Sequence, residues 1–169
     1  MFKDHARIIQ SIAAVGEIAG RKKLQKMIYI AKKISFPFQE KYEFHFYGPY
    51  SEELTLRVEE LCDMGYLDES HEKKNGYHQY CYSVSKEGLT FLEAYKEDMP
   101  RLEDCLLDMN SQNARFLELV ATILYFDPLP MDEVAEKVFT LKAKQKYTLE
   151  EVKDAYRYID ALKEKREAN

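Results

Sequence analysis

The sequence predicts a mainly α chain with a small β-wing: a winged-helix-like N-terminal core extended by a C-terminal helical bundle. Three observations carry that expectation. Apolar residues recur at helical spacing through most of the 169 residues. An Asn75-Gly76 pair lies between two strand-like stretches, a strong short hairpin signal. The order helix, helix, short strand, helix, two-stranded wing, helix is that of a winged helix. We place the winged core at residues 1–97 and the C-terminal helices at 98–169. With no low-complexity linker between them and no internal repeat, the two parts are expected to pack as one unit.

Residues 4–17 carry Ile8, Ile9, Ile12 and Val15 on one helical face, ending near Gly16. Residues 21–34 repeat the pattern with Leu24, Met27, Ile28 and Ala31. Stepping 100° per residue puts Lys22, Lys26 and Lys33 in a stripe opposite, with Tyr29 beside them. Pro37 stops any helix. Tyr42, Phe44 and Phe46 then alternate with Glu43, His45 and Tyr47 as a short strand, and Gly48-Pro49 reads as a turn. Ser51 is placed as an N-cap, with Glu52 and Glu53 in the first turn where the helix dipole favours acids. Leu54, Val58, Leu61 and Cys62 form the buried stripe of that helix, and Gly65 closes it.

Residues 66–71 and 79–84 read as the wing strands, with Tyr80, Tyr82 and Val84 on one face. The next helix directs Leu89, Leu92 and Tyr95 inward. Asp98 is a cap, with Pro100 in the first turn and Leu102, Cys105, Leu106 and Met109 as the stripe behind it. Phe116, Leu119, Val120, Ile123 and Leu124 make residues 113–126 the central helix, broken by the sequence DPLP. Met131, Val134, Ala135, Val138 and Leu141 continue at helical spacing. Thr148 and Glu151 form a capping box for a last helix lined by Val152, Ala155, Tyr156, Ile159 and Leu162.

Composition narrows the functional classes. No apolar run approaches the roughly 20 residues that span a bilayer. Asp4, His5 and Arg7 interrupt the N-terminus and disqualify it as a signal peptide. Three cysteines without CxxC spacing suit reduced thiols in a cytoplasm. The net charge of −5 is unevenly spread. Lys and Arg outnumber Asp and Glu nine to three in residues 1–41, and are outnumbered thirteen to five in 42–100. Such a chain presents differently charged faces.

No phosphate loop, zinc helix or nucleophile motif occurs, so an enzyme is not expected, nor is a cofactor. The best metal set, Cys62, His71, His78 and Cys81, fails because His78 and Cys81 point to opposite faces of a strand. Two surfaces remain. In the first, Tyr47, Pro49 and Tyr50 join the acidic helix, where Leu56 falls among Glu52, Glu59, Glu60 and Asp63. An apolar centre inside a charged rim suits docking of another protein. In the second, Arg21, Lys22, Lys23, Lys26 and Lys33, with Lys73 and Lys74 at the wing tip, grip nucleic-acid phosphates, as in a winged-helix DNA-binding regulator. The acids on the helix that would enter the groove oppose this, since affinity for a duplex comes largely from neutralising phosphates. Protein binding is therefore the favoured reading, with nucleic acid the alternative and no membrane partner.

The segments KLQKMIYIAKK and FHFYGPYSEELTLRVEELCDMGYL, with LVATILYF and KYTLEEVKDAYRYI further on, resemble the Panacea domain. They are more similar still to the YwgA family of bacterial proteins, which has no assigned activity. Panacea-type proteins are small antitoxins that neutralise partner toxins by binding them, and some act as adaptors that deliver a toxin to a protease. The resemblance implies a non-enzymatic partner-binding protein, with a toxin as the partner class. Shared fold alone does not establish shared function.

Overall fold

Helical periodicity governs the chain as its apolar spacing indicates. The computed structural model describes residues 2–168, with Lys74 described by its backbone alone. Chain order is α1 (Lys3–Val15), β1 (Glu17–Ala19), α2 (Arg21–Lys33), β2 (Glu43–His45), β3 (Gly48–Tyr50), α3 (Glu52–Asp63), β4 (Leu67–Lys74), β5 (Tyr77–Val84) and α4 (Lys86–Tyr95). It continues through α5 (Leu102–Asn110), α6 (Ala114–Tyr125), α7 (Met131–Leu141), a short 3-10 turn and α8 (Leu149–Glu167). The molecule is mainly helical, with a small antiparallel sheet ordered β1-β5-β4 and a separate β2-β3 pair.

Several local signals are realised as chemistry requires. Ser51 Oγ accepts from the Leu54 N–H at 3.1 Å, capping α3. Asn75 and Gly76 both take positive φ, +47° and +84°, as a tight hairpin turn demands. Thr148 and Glu151 cap α8 reciprocally. The buried residues run without interruption from Ile8 to Leu162: α6 packs on α2, α1 on α5, and α8 across α5 and α6. Among the described residues, no helix is long and apolar enough to cross a membrane.

Other features depart from the expectation. β1 was hidden between two helices, and its three residues are too few to show alternation. Ile18, fully buried, pairs with Tyr82 of β5 and makes the sheet three-stranded. The chain reverses at Phe46-Tyr47 rather than at Gly48-Pro49, which instead form β3 and pair with His45 and Phe44. α4 leaves Leu89 and Tyr95 exposed. It meets the start of β4 through Gly88, where a Cβ would stand 2.1 Å from the Tyr66 carbonyl oxygen, so the helix is rotated to bring its smallest residue against that backbone. α5 begins at Leu102, after Arg101 in the left-handed region, not at Asp98. Gln10 of α1 explains this, since its side-chain amide bonds both the N–H and the carbonyl of Glu97 and holds that segment out of a helix. Met131 and Leu141, at the two ends of α7, are exposed.

Candidate functional site

α2 seats the tyrosine-rich hairpin through three consecutive residues. Leu24 is buried. Gln25 donates to the Ser51 carbonyl and to Thr55 Oγ1, both at 3.0 Å, and accepts the Ser51 N–H at 2.9 Å. Lys26 Nζ donates to the Pro49 carbonyl at 3.1 Å. Gly48, at φ +90°, lies across this lysine, and a Cβ there would sit 3.5 Å from Lys26 Cε. Lys26 is only 3% exposed, and its ammonium is pulled down to about 8. Burial is the main cause, Lys142 and Lys22 act in the same direction, and Glu118 opposes them. The KLQK and YGPYS segments are therefore two halves of one hydrogen-bonded unit.

That unit forms one wall of a cleft between α2 and α3, a cavity of about 250 Å³. Leu24, Leu54 and Val58 line it with apolar surface. Tyr50, whose hydroxyl lies 2.8 Å from Thr55 Oγ1, stacks on His45 with ring centroids 5.0 Å apart. Tyr47 stands half exposed with Lys22 Nζ 3.3 Å from its ring centroid. Glu59 and Glu69 also line the cleft, as does Arg21. Arg21 Nε donates to Tyr82 Oη at 3.0 Å and its guanidinium lies 3.6 Å from Glu69.

Beside the cleft, the outer face of α3 presents Glu52, Glu59, Glu60 and Asp63, all exposed, with Leu56 among them at 56% exposure. Glu60 lies 3.5 Å from His5, whereas Glu52, Glu59 and Asp63 carry no ion pair among the described residues. The lone cation of this helix, Arg57, faces away. It binds Glu40 at 2.6 Å, Asp4 at 3.3 Å and Glu53 at 3.7 Å, which ties α3 to α1 and to the loop before β2. Glu40 is almost fully buried, and burial raises its carboxyl pKa, with the Arg57 charge acting against the rise. Sequence reasoning missed Glu40; the only signal was a single arginine inside an acidic helix.

The basic stripe reaches the surface only in part. Every residue from Leu24 to Ala31 is buried, because the β2–β3 pair and α6 cover the side of α2 expected to face solvent. Lys26 is internal, Lys23 Nζ donates to the Asn110 carbonyl at 2.6 Å, and Lys33 lies 3.7 Å from Asp127. Tyr29, expected beside the stripe, packs on Tyr42 instead, with centroids 4.8 Å apart. Arg21, Lys22 and Lys73 remain exposed, Arg21 paired with Glu69, while the Lys74 side chain lies outside the described residues. Pro49 is buried too, leaving Tyr47 and Tyr50 to represent the turn.

On the β4–β5 hairpin, His71 stacks on both His78 and Tyr80 at 4.6 Å. Among the described residues Cys62 and these histidines do not bring donor atoms together as a metal set, and burial pushes the Cys62 thiol up to about 11. Glu17, Glu72 and Cys81 do bring donor atoms within 4.8 Å of one another, two of them carboxylates of a kind common on surfaces without an ion.

No family model matches the chain. The uncharacterized protein YwgA of Bacillus subtilis (strain 168) is 58% identical over 164 residues, spanning 97% of this chain and 99% of that protein. Identity at that level along nearly the whole of both chains leaves one conclusion: the chain belongs to the YwgA family.

Proposed function

We propose that the chain is a non-enzymatic protein-interaction module that docks a basic surface of a partner protein on the outer face of α3. The observation that carries this reading is Leu56, a large apolar side chain 56% exposed among carboxylates of which Glu52, Glu59 and Asp63 form no ion pair among the described residues. A leucine in that setting supplies an apolar anchor, and the acids around it supply electrostatic steering toward positive charge. We read the scaffold, in the order α1-β1-α2-β2-β3-α3-β4-β5, as winged-helix-like and as turned from nucleic acid to protein. α3 would meet a duplex with acids first, and of the cations that would grip phosphate Lys26 is internal while Arg21 and Lys33 are paired with carboxylates. The likeness to Panacea-type proteins suggests antitoxin-like neutralisation, or delivery of a toxin to a protease, as the biological form of this docking.

The test starts with capture of a partner from native lysate, followed by affinity measurement with two variants. Leu56→Asp is expected to melt with the wild type, within about 0.5 kcal/mol, as surface changes do. It should lose about 2 kcal/mol of partner affinity, the usual cost of damaging a central anchor. Leu54→Asp, buried in the same helix, should unfold the protein. Full affinity in Leu56→Asp would remove α3 as the docking face. A gel-shift band that survives competitor DNA and weakens in Lys22→Glu or Lys73→Glu would install a DNA-binding regulator instead.

A further inference from the structure

Four lysines of α2, Lys22, Lys23, Lys26 and Lys32, form no ion pair among the described residues; Lys23 and Lys32 are tied to the Asn110 and Glu40 carbonyls, whereas Lys22 and Lys26 border a cavity. Among the described residues neither forms an ion pair; Lys26 bonds a carbonyl and Lys22 lies over the Tyr47 ring. Together with Tyr47 they line the apolar cleft and also a second cavity of about 200 Å³. The rest of that second cavity comes from the start of α6 and the turn before α8: Ala114, Arg115, Glu118 and Gln145.

Its other charges are already matched. Arg115 forms a two-pronged ion pair with Glu151 and lies over the Tyr147 ring. Glu118 has the Lys142 ammonium at 3.8 Å and the Tyr147 hydroxyl at 3.4 Å. The excess positive charge therefore belongs to Lys22 and Lys26, and Lys26 holds it while nearly removed from water, at a cost offset only in part by Glu118, which Lys142 also engages. An oxyanion beside these ammoniums would offset that cost. On the other side of the same three residues, Leu24, Leu54 and Val58, each 6% exposed or less, form the apolar floor of the cleft, with Glu59 and Glu69 also in its lining. The ligand chemistry is thus an oxyanion attached directly to an apolar group. Inorganic phosphate lacks the second half, whereas a polypeptide ending in Leu, Ile or Phe has both.

We propose that the cleft captures the C-terminal residue of a partner polypeptide, its carboxylate beside Lys22 and Lys26 and its apolar side chain on Leu24, Leu54 and Val58. Capture of a chain end by its carboxylate is an established mode of peptide recognition, and charged hydrogen bonds give it strength. The inference rests on the reading of the chain as a protein-binding module. It adds where the partner's chain end goes, next to the α3 face.

The experiment is fluorescence anisotropy on the full chain with labelled short peptide pools. The pools are randomised except for a terminal Leu or Phe, and are supplied as free acids and as C-terminal amides. The free acids should bind about tenfold tighter than the amides. Lys22 is exposed, so Lys22→Met should keep the wild-type melting curve and lose that preference, while Lys22→Arg should retain it. Equal binding of acid and amide pools would overturn the proposal while leaving the module reading intact, since that reading is judged separately by Leu56→Asp. Binding of neither pool would overturn it as well. Binding of 3-phenylpropionate as tightly as the peptides would assign the site to a free carboxylic acid and overturn the polypeptide assignment.

Discussion

Lys26 concentrates the tension between charge and burial in this protein. Its ammonium is pulled down to about 8 from 10.5, mainly by burial. The unfolded chain therefore holds the Lys26 proton more tightly than the folded one between those values. Stability tied to this residue must rise with pH through the window from about 8 to 10.5, and the burial cost is fully felt below it. Replacing the side chain by an uncharged one of similar length removes the effect. In urea melts across that range, wild type should gain stability relative to Lys26→Met as pH increases; parallel curves would mean that the ammonium is not perturbed. The raised tyrosines nearby titrate in both proteins and drop out of the difference.

At the scale of the element, the β2–β3 pair depends on α2 more than on its own two strands, since three-residue strands have little independent stability. Gly48 is the point where the two meet. At φ +90° any side chain is strained whatever space surrounds it, so Gly48→Ala should cost about 1–2 kcal/mol. A lower urea midpoint at unchanged slope would register that loss. Elements whose cause is local could be read from the chain: the Ser51 cap, the Asn75-Gly76 turn, the Thr148–Glu151 box and the outward position of Leu56. Those with distant causes could not. Ile18 becomes a strand only because Tyr82 lies beside it, the start of α5 is set by Gln10, and Gly88 turns its helix toward Tyr66. The site divides the same way. The acidic face follows from helical spacing, whereas the burial of Lys26 depends on β3 and α6 arriving from elsewhere in the sequence.

At the scale of the whole molecule, the first half supplies helices whose apolar surface the second half covers. α6 lies on α2 and α5 on α1, with Leu117, Leu119 and Val120 buried. A fragment ending at residue 97 would expose those faces, and we expect it to show no cooperative thermal transition by circular dichroism, where the full chain shows one. A sharp melt from the fragment would mean that it closes its own core. The same shared interior encloses Cys105, fully buried on α5, its sulfur 4.0 Å from the Leu162 carbonyl of α8 and its thiol pKa raised by burial. A thiol in that position stays inert while α5 and α8 are together and becomes an ordinary nucleophile once they part. Its alkylation rate is thus a built-in clock for the separation of the last helix from the body. A partner that clamps the molecule shut would slow that clock without touching the cysteine.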